Sequence, residues 1–134
     1  MRFTMKKTFF AVAFAIFGLV ACHKHSDTDT IAPIINITAP TAAASFKSGL
    51  EIKITAKATD ETAMHEVALI IAQDSDNKEL LNKVIDTHNL KTKDIAETWT
   101  PTGFTADTNV TLTMTVIDHG DNKATKTVKF KLVK

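Results

Sequence analysis

Cysteine is almost missing from this chain of 134 residues: Cys22 is the only one, so no disulfide can form within a single chain and a folded domain must be held by its core alone. Tyrosine is absent, tryptophan occurs once, and five of the eight phenylalanines (Phe3, Phe9, Phe10, Phe14 and Phe17) lie in the first 17 residues. Glycine occurs four times and proline three times, with no glycine-rich run to cradle a phosphate. Ser45, Ser48 and Ser75 lie in no G-x-S-x-G elbow, and H-E-x-x-H is absent. Catalysis is therefore not expected. Long hydrophobic runs are lacking too. The longest uncharged apolar stretch, Phe9 to Ala21, has 13 residues, and as a helix it rises only about 20 Å against a hydrocarbon core of about 30 Å. A plain membrane span is not expected at that length.

What is there begins with the segment before Cys22. Arg2, Lys6 and Lys7 precede the apolar run, which ends in the small residues of Leu19-Val20-Ala21-Cys22. This text resembles the signal peptides of bacterial lipoproteins. The resemblance implies a helical signal over 1–21, cleavage before Cys22, and a covalent diacylglycerol with an N-acyl chain such as palmitate on that cysteine. Two or three acyl chains, at about 0.8 kcal/mol per buried methylene, hold a domain on a bilayer almost permanently. A membrane surface is then the expected partner. His23 stands where an Asp acts as an inner-membrane retention signal in some lineages, which favours the outer membrane.

Loss of the signal takes three of the 16 basic residues, leaving 13 against 15 acidic ones, a net charge of −2. No basic stripe remains, so nucleic acid is not an expected partner. Residues 22–31 read as a flexible polar tether of about 15 Å. His23 and His25 within it have no fixed third ligand nearby. Residues 32–134 are enough for one compact domain.

Period-two alternation dominates that domain. Leu50, Ile52, Ile54, Ala56 and Ala58 alternate with Glu51, Lys53, Thr55, Lys57 and Thr59; Val110, Leu112, Met114 and Val116 alternate with threonines; Val128, Phe130 and Leu132 alternate with Thr127, Lys129 and Lys131. Each is a half-buried strand. Met64 to Gln73 is apolar on both parities, as in a central strand or a short helix, and its turn-like flanks favour the strand. His65 shares the parity of Val67 and Leu69, which predicts a half-buried ring. Seven strands result: A (33–38), B (50–59), C (63–73), D (80–86), E (95–100), F (109–118) and G (124–133). Trp99 is expected to point into the core, with sugar stacking as its other use.

The stretches Ala32-Pro33-Ile34-Ile35-Asn36-Ile37-Thr38-Ala39-Pro40, Ile52 to Asp60, Trp99-Thr100-Pro101 and Thr113 to Asn122 resemble the immunoglobulin-like or fibronectin III-like domains of bacterial exported proteins. The resemblance implies an all-β fold, a seven-strand antiparallel immunoglobulin-like β-sandwich. Asp121, inserted between Gly120 and Asn122, departs from the family's turn.

In that topology the loop after B and the loop between F and G meet at one pole. Asp60, Glu61, Asp118 and Asp121 are the candidate metal ligands, with His65, His119 and Asn122 beside them and His88 within reach. Carboxylates are the hard oxygen ligands calcium prefers, whereas imidazoles suit zinc. The same Asp and Asn residues also serve as turn caps without any metal. The expected function is a lipid-anchored cell-envelope module, structural or binding an envelope protein or a glycan. The alternative is a calcium-stabilised lipoprotein or an accessory spacer of a transport or polysaccharide system.

Overall fold

Alternation of apolar and polar residues becomes six strands in the computed structural model, which describes residues 29–134: β1 (Ile34–Ala39), β2 (Ser45–Lys47), β3 (Ile52–Gln73), β4 (Glu79–Trp99), β5 (Thr108–Asp118) and β6 (Lys123–Val133). The expected signal segment 1–21, the lipidation residue Cys22 and the tether through Thr28 lie outside the described residues. Among the described residues there is no helix, and so none long and apolar enough to cross a membrane.

All seven expected strands are found as β structure, but B and C run on as one strand, β3, and D and E as one strand, β4. The first half of β3 pairs with β1 on one side and with the end of β4 on the other; its second half pairs with the start of β4 and with β5. β6 continues from β5, and the short β2, which no sequence pattern announces, joins its far edge. β2 runs parallel to β6 in an otherwise antiparallel arrangement. The sheet thus folds over at residues 60–63 into two layers, β1 with the first half of β3 and the end of β4, facing β2, β5, β6 and the rest. This is an immunoglobulin-like sandwich.

Between the layers lies one apolar cluster. Ile52, Ile54 and Ala58 from one layer meet Val67, Leu69, Ile71, Val110, Leu112, Met114, Val116 and Leu132 from the other, all fully buried. Trp99, paired with Ile52, is half-buried and packs against this cluster from the end of β4. The outer faces of β5 and β6 carry cross-strand pairs such as Thr113 with Thr127 and Thr115 with Thr125, the latter hydrogen-bonded through their hydroxyls at 3.0 Å. Such pairs suit a pleated surface in water.

The fold-over corrects one expectation. Buried positions in β3 are even-numbered up to Met64 and odd-numbered from Val67 onward. The ladder shifts register between Thr59 and Met64 and again between Met64 and Glu66. A bulge adds a residue to one strand and so reverses the faces of everything beyond it. Met64 therefore fills the core, and His65, expected half-buried, is exposed.

Candidate metal centre

The antiparallel register builds the pole. Ile34 pairs with Thr59, so the chain ahead of β1 runs past the end of that β3 segment and alongside Asp60. Met64 pairs with Asp118, and the backbone N–H of His119 donates to the carbonyl of Ala63 at 3.2 Å, which closes the end of β5 onto the same bend. Three carboxylates from three parts of the chain are brought together in consequence. One oxygen each from Asp29, Asp60 and Asp118 lies within 4.8 Å of the other two.

Asp118 is only 1% exposed, and its carboxylate organises the turn that follows. Its Oδ1 accepts the backbone N–H of Gly120 at 2.7 Å and of Asn122 at 2.8 Å, and its Oδ2 accepts the Asn122 side-chain amide at 2.8 Å. That is the capping role expected of an aspartate at a tight turn. Asn122 also donates from the same amide nitrogen to the backbone oxygen of Asp29 at 3.0 Å.

Asp60 is 8% exposed. Its Oδ1 accepts the N–H of Thr62 at 2.9 Å, while its Oδ2 is buried with no hydrogen-bond partner. Asp29 repeats the pattern: Oδ1 accepts the N–H of Ile31 at 3.0 Å and Oδ2 is buried and unpartnered. Buried polar atoms are nearly always hydrogen-bonded, and an unpaired one costs about 1–3 kcal/mol, more when charged. Among the described residues the lysine ion pairs are those of Lys83, Lys129 and Lys131, and none touches this cluster. At an effective dielectric of about 20, carboxylates at this spacing repel by roughly 3–4 kcal/mol per pair. Two orphaned oxygens on converging carboxylates fit a hard divalent cation such as calcium, with carbonyls or water completing its six to eight oxygens.

Of the four carboxylates expected as ligands, the structure brings Asp60 and Asp118 together and leaves Glu61 and Asp121 exposed. Glu61 follows Asp60 on the strand and faces away, as neighbours on a strand do. Asp121 sits in the turn at φ 63°, its N–H on the carbonyl of Asp118 at 3.4 Å. Asn122 scaffolds the cluster. His65, His88 and His119 gather on the outer side of the pole, all exposed. Sequence reasoning missed Asp29, because the polar tract around it has no periodicity. The available signal was the pairing of strand A with strand B, which carries the residues before A toward the end of B. At the opposite pole Asp74 accepts the Thr111 hydroxyl at 2.6 Å and Asp76 accepts the N–H of Lys78 at 3.1 Å, both shaping turns.

No protein-family model matches the sequence, and no curated protein matches it. Several solved structures are similar in shape. A fibronectin(III)-like module structure of Clostridium thermocellum CbhA is 16% identical, covering 74% of this chain and 94% of its own, with a TM-score of 0.46. A Niemann-Pick type C2 protein from the Japanese carpenter ant is 15% identical, covering 75% and 88%, with a TM-score of 0.46. Murine CRIg is 11% identical, covering 75% and 96%, with a TM-score of 0.45.

Proposed function

We propose that the protein is a non-catalytic, lipid-anchored immunoglobulin-like module of the cell envelope, held on the outer membrane through Cys22 and stiffened by calcium at its tether-side pole. The observation that carries the calcium reading is the convergence of the Asp29, Asp60 and Asp118 carboxylates, two of which, Asp29 and Asp60, each hold a buried, unpartnered oxygen. The lipid reading rests on the lipobox that ends in Cys22. Asp29 follows Cys22 by only seven residues, so an ion shared by Asp29, Asp60 and Asp118 ties the start of the domain to its body close to the membrane. The ion would then fix residue 29 against the bend in β3 and the end of β5. Calcium modules outside the cytoplasm bind with Kd of about 10⁻⁴–10⁻³ M, a range suited to an ion that is a structural element. The Thr-rich and Lys-rich outer strands and the half-buried Trp99 favour a spacer over a glycan-stacking face.

Melting of the full-length chain in detergent tests this reading. Saturation to roughly 10–100 times Kd stabilises by about 1.4–2.7 kcal/mol, which for a domain of this size raises Tm by about 5 °C or more over the EDTA sample. In Asp60→Asn the calcium response is lost, while in EDTA the variant melts at or above the wild type because a buried charge has gone. Equal melting of the wild type with calcium and with EDTA contradicts the calcium reading. Release of the Cys22→Ser chain from membranes tests the anchor separately.

A further inference from the structure

Outside the carboxylate cluster, on the solvent side of the same bend, three imidazoles from three different strands or turns stand face to edge. The ring centroids of His65 and His88 are 5.5 Å apart, those of His65 and His119 5.4 Å, and those of His88 and His119 4.5 Å, with planes inclined by 74–80°. The backbone explains the meeting. Met64 pairs with Leu90 on one side and Asp118 on the other, and Glu66 pairs with Asp86 and Ile117, so residue 65 lies on the surface between residues 88 and 119. The bulge that turns Met64 inward turns His65 outward between them. Asp118 points into the sandwich and His119, next along the chain, points out.

We propose that His65, His88 and His119 form a surface site for a divalent transition-metal ion of the zinc class, separate from the carboxylate cluster. A Zn–N bond of about 2.0–2.1 Å plus roughly 1.2 Å from nitrogen to ring centre puts each centroid about 3.2 Å from an ion, and hence centroids about 4.5–5.3 Å from one another across octahedral to tetrahedral angles. The His88–His119 spacing lies at the lower end of that range, and the two spacings from His65 lie 0.1–0.2 Å above its upper end. The ring nitrogens do not yet point at one spot, since the one set of three ligand atoms mutually within 4.8 Å among the described residues is the aspartate set. All three rings are exposed, so rotation about their side-chain bonds brings the nitrogens inward at little cost. Three imidazoles leave a fourth position for water or for a ligand from a partner. The two clusters differ in chemistry as well as in place: calcium prefers the carboxylate oxygens, and borderline ions prefer imidazole nitrogen.

Zinc titration of the full-length chain in detergent, against a chromophoric chelator and with millimolar calcium present to fill the carboxylate cluster, tests the site. One Zn²⁺ ion is expected to bind per chain, and His65→Ala, His88→Ala and His119→Ala are each expected to weaken binding by about tenfold or more. A variant lacking His23 and His25 binds as the wild type does. Imidazole nitrogen resonances of the three rings shift together on zinc addition, a change that mere stacking does not produce. Unchanged affinity in all three single variants, or loss of binding in the variant without His23 and His25, overturns the proposal. The single variants melt as the wild type does without zinc, since each side chain is exposed.

Discussion

Asn122 reaches across 93 residues of chain to hold Asp29: its side-chain amide donates to the Asp29 backbone oxygen at 3.0 Å while also donating to Asp118 Oδ2 at 2.8 Å. One side chain thus joins the turn after β5 to the segment that enters the domain. Replacing it with alanine removes both bonds and leaves a buried carboxylate oxygen short of a donor. Asn122→Ala is expected to lose about 1–3 kcal/mol in chemical denaturation, and limited proteolysis near residue 29 should speed up.

Gly120 lies under that contact. A Cβ there would stand 2.7 Å from the Asp29 backbone oxygen and 2.9 Å from the Asn122 side-chain nitrogen. The Asp29 contact is with backbone, which cannot rotate aside. Gly120→Ala is therefore expected to cost about 1–3 kcal/mol by overpacking and to displace Asp29, with a matching loss of calcium response.

Met64 and His65 report the bulge. Met64 is fully buried and His65 exposed. Met64→Ala is expected to cost about 2–5 kcal/mol, and His65→Ala to stay within about 0.5 kcal/mol of the wild type. Alternation carried back from Val67 without the bulge would give the reverse order in the same denaturation series.

These two residues also mark where the sequence stops being readable. Alternation over residues 52–59, 110–116 and 127–132 defines three strand segments and their inward faces, because each stretch lies on one side of the bend in β3. Leu50, which the same alternation places inward, stands ahead of β3 and is exposed. Across the bend it fails: the extra residue near Met64 is not encoded in the apolar pattern, so His65 inherits the wrong face. β2 is three residues long with one half-buried Phe46, too short to show a period. At the pole, topology joins Asp60 to Asp118, but composition cannot separate them from Glu61 and Asp121 nearby, since only the direction of the side chain does so. Asp29 is visible only through the pairing of β1 with β3.

At the other pole Asp107 accepts from Lys131 Nζ at 2.9 Å and from the Lys134 N–H at 3.3 Å. The Lys131 hydrogen bond, and then the Lys134 backbone bond, hold its carboxyl below the ordinary carboxylate value. A carboxyl lowered in the folded state stabilises above its unfolded value, and that contribution is lost as pH falls through the folded value. Asp107 is exposed, so the effect on stability is small. Carboxyl carbon NMR should show its titration midpoint rise in Lys131→Met.

Calorimetric titration of calcium into the full-length wild-type chain tests the central claim most directly. Convergence of Asp29, Asp60 and Asp118, with two oxygens buried and unpartnered, predicts one calcium ion per chain and loss of that binding in Asp60→Asn. No binding at millimolar calcium, or undiminished binding by Asp60→Asn, would contradict it.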